Sequence, residues 1–313
     1  MQLNLTQKNG YVNPAHTLIR AFFNGKNEST LRAYRADLEK FREYIGVKTL
    51  SEAARIMIEA PHGQANLLAL NYKTEMQKQG FKPTTINRRL SALRSLIQLA
   101  NTLGMISWKL DVKNFQVEAY RDTSGPGENN FQKMIIANWN QRNQQKAFRD
   151  HAILRLLHDL GLRRSSVVNL DLADLEIEQK RLWVTLKRRS QKKTKHLPGS
   201  TLNALLEWIE IRGSEPGAMF TNFDHAGKGE RLTGTSLYRL VRRLGEEIGI
   251  KTRPHGIRHT AITEAVKKAK ENGIGLEEVV DFSDHREIKT LLIYRDRDRN
   301  VQGQISELIA GIQ

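Results

Sequence analysis

The sequence predicts a mainly α-helical protein with two domains, the second of which also carries a small β-hairpin. Three observations lead to this fold class. Apolar residues recur every three or four positions through most of the chain, a stretch containing glycine and proline interrupts them, and one short segment alternates between apolar and polar residues. With 313 residues, the chain is long enough for two cores. We expect a helical domain at 1–120, a linker at 121–130 and a mixed α/β, mostly helical domain at 131–313.

Two long amphipathic helices are predicted in the first domain. In residues 29–46 (STLRAYRADLEKFREYIG), apolar residues recur at steps of three and four, so they lie on one face of a helix. Ser29 or Thr30 is the expected N-cap, and Gly46 is the expected stop. Residues 83–104 repeat this design, and we expect helices throughout the first domain.

Arginines lie outside the apolar stripes of both helices. Those that we single out are Arg32, Arg35, Arg88, Arg89 and Arg94. Such a face can simply be solvated. Because acidic residues are sparse on the second helix, we favour a helical bundle whose arginines bind the phosphate backbone of double-stranded DNA.

A break in the pattern separates the two domains. Residues 121–130 (RDTSGPGENN) are small, polar and without periodicity, which is typical of a linker. Beyond them, 148–164 reads as a helix that Gly161 ends. Residues 181–187 (RLWVTLK) alternate, and 195–198 follow a lysine-rich turn, which predicts a hairpin. The other predicted helices are 200–212, 233–249, 256–272, 276–283, 286–294 and 302–311.

The charge of the chain indicates a polyanionic partner. The chain has 50 lysines and arginines against 34 aspartates and glutamates, a net charge of +16. Counterion release from nucleic acid drives binding to such a surface, although a basic enzyme without this partner has the same composition. The absence of cysteine excludes disulfides, thiolate zinc sites and cysteine nucleophiles.

Neither a secretion signal nor a membrane span is predicted. Residues 1–10 lack the apolar core of a signal peptide. No apolar run approaches the roughly 18 residues that a membrane helix needs. We therefore expect a cytoplasmic protein with no membrane partner.

The stretch RPHGIRHTAI places two imidazoles and a guanidinium on one helix face. Arg258 and His259 come three and four positions after His255, and these spacings bring side chains onto one face of a helix, so we expect all three to point the same way. Histidines four positions apart also bind zinc, and His285 would be the third ligand. We disfavour zinc, because Gly256 stands where such a helix needs glutamate and an arginine between the ligands would repel the metal.

Three further residues suit phosphoryl transfer. Arg163 follows a helix that ends in DLGLRR, and Tyr294 comes nine positions after His285. Arginines hold phosphate oxygens, histidines move protons near neutral pH, and a tyrosine hydroxyl can form a covalent phosphoester. Alternatively, Arg163 caps its preceding helix and Tyr294 is a core aromatic. Together with the two-histidine stretch, these residues indicate metal-free phosphoryl transfer through a phosphotyrosine.

These segments resemble the tyrosine recombinase, or phage integrase, family. Residues 156–175 resemble its first arginine box, 255–259 its histidine-x-x-arginine-histidine box, and 284–294 its final box with a histidine nine residues before the tyrosine. Residues 29–46 and 83–103 resemble its helical core-binding domain. The resemblance implies a site-specific DNA recombinase that works through a 3′-phosphotyrosyl intermediate and a Holliday junction.

The resemblance also implies catalytic roles. The residues it points to are Arg163, Lys187, His255, Arg258, His285 and Tyr294. Ser166 departs from the family, which often has an acidic residue three positions after its first arginine. The catalytic lysine is assigned to the hairpin, where Lys187 fits best. Lys192 and Lys193 are the alternatives for catalysis and are also candidates for phosphate binding. The other interpretation is that these lysines only form a solvated hairpin tip.

The resemblance further implies a tetramer on two DNA sites, without metal or cofactor. Residues 303–313 carry an apolar face that we expect to dock on a neighbouring subunit or on their own domain. Fewer than thirty residues precede the first clear helix, which leaves no room for an arm-binding domain. We therefore expect a simple Xer-like or mobile-element recombinase on the nucleoid of a bacterial or phage-host cell. The rival interpretations are an inactive sequence-specific DNA-binding protein and a type IB topoisomerase-like relaxing enzyme.

Overall fold

The structure is a computed structural model that describes residues 13–24, 28–117, 125–186, 191–223, 227–284, 288, 291 and 301–311. The chain divides into two compact units, Met1–Tyr120 and Arg121–Gln313. The predicted fold class is confirmed, because the chain is mainly helical and contains one small antiparallel sheet.

The first unit is a bundle of helices around one apolar core. Its helices are α1 (Pro14–Phe23), α2 (Glu28–Ile45), α3 (Leu50–Glu59), α4 (His62–Lys78) and α5 (Pro83–Thr102). The predicted cap of α2 is wrong, because the helix begins at Glu28 and so contains Ser29 and Thr30 in its first turn. Gly46 follows α2 with a φ of +73°, the left-handed conformation that ends a helix.

A buried ion pair joins α2 to α5 inside this unit. Asp37 is only 2% exposed, and its Oδ2 accepts a hydrogen bond of 2.6 Å from Nη1 of Arg88. Burial raises the pKa of the Asp37 carboxyl, and the positive charge of Arg88 opposes this effect. Arg88 therefore has a structural role within the bundle.

The second unit combines helices with the sheet. Its helices are α6 (Gly127–Trp139), α7 (Gln144–Asp159), α8 (Arg164–Val168), α9 (Gly199–Arg212), α10 (Gly234–Glu247), α11 (Pro254–Glu271), α12 (Leu276–Ser283) and α13 (Val301–Ala310). Its strands are β1 (Leu175–Glu176), β2 (Arg181–Thr185) and β3 (Lys192–His196). The helix predicted at 286–294 lies almost wholly outside the described residues.

Several boundaries of the second unit differ from prediction, most clearly at the starts of α7 and α6. Helix α7 was expected at 148–164 but begins at Gln144, because the Asn143 side chain caps it by accepting from the Lys146 amide. Helix α6 begins at Gly127, inside the predicted 121–130 linker. The amide of Gly127 donates to the Thr260 hydroxyl at 3.0 Å, so this part of the segment is attached to α11.

The sheet has the order β1-β2-β3, and both pairs of strands are antiparallel. In β2, Leu182 and Val184 are buried while the residues on either side of them are more exposed, which confirms the predicted alternation. Thr185 pairs with Lys192, so the chain passes from β2 to β3 through residues 186–191, of which 187–190 lie outside the described residues. The register therefore places Lys193 and Lys195 on one face of β3 and Lys192 on the other.

Helices α11 and α12 pack together through a small apolar cluster. Its buried members are Ile262, Val266, Ala269, Val279 and Leu291, with Phe282 packed against them. This contact packs α12 against the second half of α11. In the described part of the chain, no helix combines the length and apolarity that a bilayer crossing requires.

Replacing Arg88 with alanine should destabilise the first unit by about 1–3 kcal/mol, because it leaves the buried Asp37 carboxylate without its counter-charge. The pKa of Asp37 would rise further above its value in the unfolded chain. The loss of stability caused by Arg88→Ala should therefore be full at neutral pH, where the Asp37 carboxyl is ionised. It should shrink as the pH falls through the pKa of Asp37 in the folded variant. Hydrogen exchange of the α2 and α5 amides in the full-length protein measures this change.

The control for this prediction is Arg32→Ala. Arg32 also pairs with a carboxylate, Glu28, but the two side chains are 80% and 86% exposed, so the pair should contribute almost nothing. Equal exchange rates in the Arg88 and Arg32 variants would contradict a structural role for Arg88.

Candidate active site

The C-terminal end of α12 is where two of the predicted catalytic arginines meet. Nη2 of Arg163 donates to the carbonyl of Asp284 at 3.2 Å. The guanidinium of Arg258 donates to the carbonyls of Ser283 and Gly161. The last carbonyls of a helix have no partner within the helix and carry the negative end of its dipole, so they attract cations. Two arginines from distant segments thus converge on one helix end.

Gly161, which has a left-handed backbone conformation, lies two positions before Arg163 and close to the C-terminal end of α12. Helix α7 ends at Asp159, and Gly161 follows with a φ of +55°. A Cβ at Gly161 would lie 3.3 Å from Cε1 of Phe282, so the missing side chain lets α12 approach closely. Arg163 then occupies the N-cap position of α8. Its recorded bond to Asp284 differs from the helix-capping alternative, in which it would bind the end of α7.

The histidine-x-x-arginine-histidine stretch forms the first turns of α11. Pro254 occupies the start of the helix, and the imidazoles of His255 and His259 lie one turn apart with their Nε2 atoms 3.0 Å from each other. His255 is exposed, whereas His259 is 3% and Arg258 2% exposed. The structure thus brings the two imidazoles together, with His255 at the surface.

The described residues contain no group of three or more histidines, aspartates and glutamates that could hold a metal ion. The third ligand of the disfavoured zinc site, His285, lies outside these residues. Lys187 and Tyr294 also lie outside them. Asp284, whose carbonyl binds Arg163, directly precedes His285 in the sequence.

The hairpin adds two lysines to the same helix end. Nζ of Lys195 donates to the carbonyls of Phe282 at 2.7 Å and Asp281 at 3.0 Å, and it lies 3.1 Å from Oδ2 of Asp284. Nζ of Lys193 bonds the side chain and carbonyl of Asp281 and lies 3.3 Å from Oδ1 of Asp284. Four cations from three segments therefore surround the last turn of α12.

The two lysines differ in how readily they release a proton. Burial lowers the pKa of Lys195, and the nearby Asp284 carboxylate offsets this only in part. For Lys193 burial acts in the same direction, but Asp281 and Asp284 outweigh it and raise the pKa. In turn, the hydrogen bond from Lys193 lowers the pKa of the Asp281 carboxyl.

The sequence analysis singled out neither Lys195 nor Asp284. A signal for Lys195 exists in KKTKH, because a two-residue period in a strand pairs it with Lys193. Lys192 faces away from them, and its Nζ bonds the buried carboxylate of Asp174. No pattern in the sequence reveals Asp284, which takes the left-handed conformation (φ +51°) at the end of α12 and is buried by tertiary contacts.

Ser166 has a structural partner. Its side chain is buried, and its hydroxyl donates to the carbonyl of Thr185 at 3.0 Å. This bond ties α8, which follows Arg163, to the end of β2. The serine thus joins the first arginine segment to the hairpin without a carboxylate.

In the first unit, all five arginines predicted to bind DNA have intramolecular contacts. These contacts are Arg32 to Glu28, Arg35 to the ring of Phe23, Arg88 to Asp37, Arg89 to the ring of Phe81, and Arg94 to the carbonyl of Val112 and the side chain of Asn114. Exposed pairs such as Arg32 with Glu28 are weak and exchange readily for phosphate. DNA binding by these side chains stays a prediction.

Comparison with known proteins gives consistent matches. The phage integrase family matches residues 128–300, and its N-terminal SAM-like domain matches residues 22–102. A tyrosine recombinase of Synechococcus elongatus is 34% identical over 292 residues, covering 91% of this chain and 90% of its own. One of Synechocystis sp. is 32% identical over 293 residues, with 92% of each chain covered.

A solved structure shares the fold. It is a XerH site-specific recombinase bound to a palindromic difH substrate in a post-cleavage complex. The TM-score is 0.68, with 95% of this chain and 85% of the other covered, and the sequences are 16% identical.

Replacing Gly161 with alanine should loosen the end of α12. The left-handed backbone costs an alanine about 1–2 kcal/mol, and the new Cβ would press on Phe282. We expect faster hydrogen exchange of the α12 amides and a lower free energy of unfolding.

Gly249→Ala is the matched control, because Gly249 also has a positive φ (+77°) but nothing lies within 4 Å of its Cβ position. Gly249→Ala should lower the free energy of unfolding by the cost of the left-handed backbone alone and leave the hydrogen exchange of the α12 amides unchanged. If both variants protect the α12 amides equally, the close approach of Gly161 and Phe282 has no role.

Proposed function

The chain belongs to the phage integrase family, and from this premise we propose that it is a site-specific DNA recombinase acting through a 3′-phosphotyrosyl intermediate. The observation that carries the proposal is the convergence of Arg163 and Arg258 on the end of α12. This end leads directly to the segment that contains His285 and Tyr294. Two guanidinium groups at one point are suited to the charge that develops on a phosphoryl group in transfer.

In the proposed cleavage step, the hydroxyl oxygen of Tyr294 attacks a phosphodiester. A bond forms between this oxygen and phosphorus, and the bond to the 5′-oxygen breaks. Arg163 and Arg258 neutralise the charge on the non-bridging oxygens, and His285 donates a hydrogen bond to one of them. The exposed position of His255 supports a role in moving the proton that the tyrosine loses.

The leaving 5′-oxygen needs a proton, for which we propose Lys187. Its two alternatives already bind carboxylates, since Lys192 pairs with Asp174 and Lys193 with Asp281. Lys187 follows Thr185, the last residue of β2, by two positions in the sequence. Protonation of the leaving group is worth about two to four orders of magnitude in rate.

Rejoining reverses these steps with a different strand. The 5′-hydroxyl of a partner strand attacks the phosphotyrosine, which restores a phosphodiester and frees Tyr294. Because each transesterification exchanges one ester for another, the scheme needs no ATP, metal or cofactor. Two rounds of strand exchange would pass through a Holliday junction.

Double-stranded DNA is the proposed partner of both units. The net charge of +16 favours a phosphate backbone through counterion release. Arg32, with a side chain that is 80% exposed, is one of the accessible predicted contacts. We propose that the protein acts in the cytoplasm on nucleoid or mobile-element DNA, as a Xer-like or element-borne recombinase.

Helix α13 is the proposed contact between subunits of a tetramer on two DNA sites. It has 10 residues (Val301–Ala310), which is too short to be stable by itself in water. Leu308 and Ile309 are 71% and 67% exposed, and burial of these side chains against a second copy of the chain would stabilise the helix.

The cleavage step predicts a covalent protein–DNA adduct. A half-site selected from a random duplex library, nicked so that a short 5′-hydroxyl strand is released, should trap the adduct on a denaturing gel. The adduct should have a 3′ linkage, persist in EDTA and disappear in Tyr294→Phe. Arg163→Lys and Arg258→Lys should slow its formation about a hundredfold or more, since they lose a donor to the transition state.

An adduct that survives in Tyr294→Phe, or that is linked to a 5′ end, would overturn the proposed function.

Deletion of residues 303–313 should remove cooperative assembly. In a gel-shift titration, affinity for a single half-site should be unchanged, whereas complexes with two and four protomers should need about tenfold more protein, because the apolar contact is lost. The double substitution Leu308→Ser and Ile309→Ser should act in the same way.

Glu307→Gln is the control, since Glu307 is exposed on the same helix. Cooperativity that is unchanged by the deletion would discard docking between subunits, and a loss of half-site affinity would point to docking on its own unit.

A further inference from the structure

We propose that Asp284 is a positioning residue for DNA cleavage, whose carboxylate fixes strand β3 and, through the pairing of β3 with β2, the strand end that Lys187 follows in the sequence. The inference rests on the proposed function and deepens it. It names a residue, outside the set that the resemblance implies, on which the proton-donating step depends.

The first argument is the burial of the Asp284 carboxylate between two cations. The side chain is 4% exposed, and its two oxygens lie 3.1 Å from Nζ of Lys195 and 3.3 Å from Nζ of Lys193. A buried carboxylate is tolerated only when it is paired, and one that bridges two ammonium groups restricts both. Both lysines face the same side of β3, so the strand is held at two points.

The second argument is that the same residue also binds the first arginine. The carbonyl of Asp284 accepts the hydrogen bond of 3.2 Å from Arg163. The side chain of Asp284 thus holds the hairpin while its main chain holds an arginine of the proposed centre. One residue therefore sets the distance between the strand and that arginine.

The third argument is the backbone conformation. Asp284 has a φ of +51° and a ψ of +36°, a region that glycine adopts freely and that other residues, Asn and Asp excepted, adopt rarely. Glycine would relieve the backbone but provide no carboxylate. Aspartate at position 284 keeps the left-handed backbone and also provides a negative charge, which fits a role for its carboxylate.

The link from β3 to Lys187 runs through the strand pairing. Thr185 at the end of β2 pairs with Lys192 at the start of β3. Fixing β3 therefore also fixes the paired end of β2, two positions before Lys187 in the sequence. A proton donor must be held to within a fraction of an ångström of its acceptor, because a small displacement costs much of the rate.

Asp281 offers a matched comparison. Its carboxylate also pairs with Lys193, but its side chain is 76% exposed, so solvent screens the pair and the pair contributes little. Substituting each aspartate by asparagine removes one negative charge from the same cluster and changes the shape little. Asparagine also tolerates the left-handed backbone of position 284.

The test compares two nicked half-sites, one with the normal 5′-oxygen and one with a 5′-bridging sulfur at the scissile bond. A thiol leaves as a thiolate near neutral pH, since its pKa is about 8.5, and so needs no proton donor. Wild type, Asp284→Asn and Asp281→Asn are assayed for the rate of adduct formation on both substrates.

We expect Asp284→Asn to slow cleavage of the oxygen substrate about tenfold or more and to cleave the sulfur substrate within about twofold of wild type. Asp281→Asn should stay within about twofold of wild type on both. Should Asp284→Asn fail to fold, Lys195→Gln removes the same ion pair from its other side and should show the same rescue by sulfur.

An equal loss on both substrates, or no loss on either, would overturn the role of Asp284 while leaving the proposed function intact. If wild type forms no adduct with either substrate, or the adduct survives in Tyr294→Phe, the proposed function itself fails. The two failures are therefore distinguishable.

Discussion

The interaction on which the second unit depends is the attraction of cations to the unpaired carbonyls at the end of α12. Arg163, Arg258, Lys193 and Lys195 come from three segments that are far apart in sequence, and each finds a main-chain oxygen of the same helix turn. Four positive charges at close range repel each other strongly unless negative partners lie among them. The helix end and the Asp284 carboxylate provide those partners, which makes it possible to gather the cations before DNA is present.

This arrangement is compatible with phosphate binding. A guanidinium carries five N–H donors in a planar fork, so a bond to a carbonyl does not exhaust what it can offer to a phosphate. Main-chain carbonyls also fix the direction of the fork, which reduces the entropy lost when the phosphate arrives. In the proposed complex with DNA, the same contacts would preorganise the two guanidinium groups for the phosphate.

Much of the fold and part of the site could be predicted from sequence, because they depend on local patterns. The periodicity of apolar residues identified the long helices, and the spacing of His255, Arg258 and His259 placed them on one face. The roles of Lys195 and Asp284 could not be predicted, because both depend on which helix end the hairpin meets. The start of α6 at Gly127 was missed for a similar reason, since its contact with Thr260 is distant in sequence.

The register of β2 with β3 is itself part of the proposed centre. Side chains alternate across a strand, so a slip by one residue would turn Lys193 and Lys195 outward and bring Thr194, with Lys192 or His196, toward the helix. The contacts of Lys193 and Lys195 with Asp281 and Asp284 would be lost although no residue had changed. Insertions and deletions between Leu186 and Gln191 are therefore tolerable only when they leave the register of β2 and β3 unchanged. A length change that shifted β3 by one residue would separate the hairpin lysines from the end of α12.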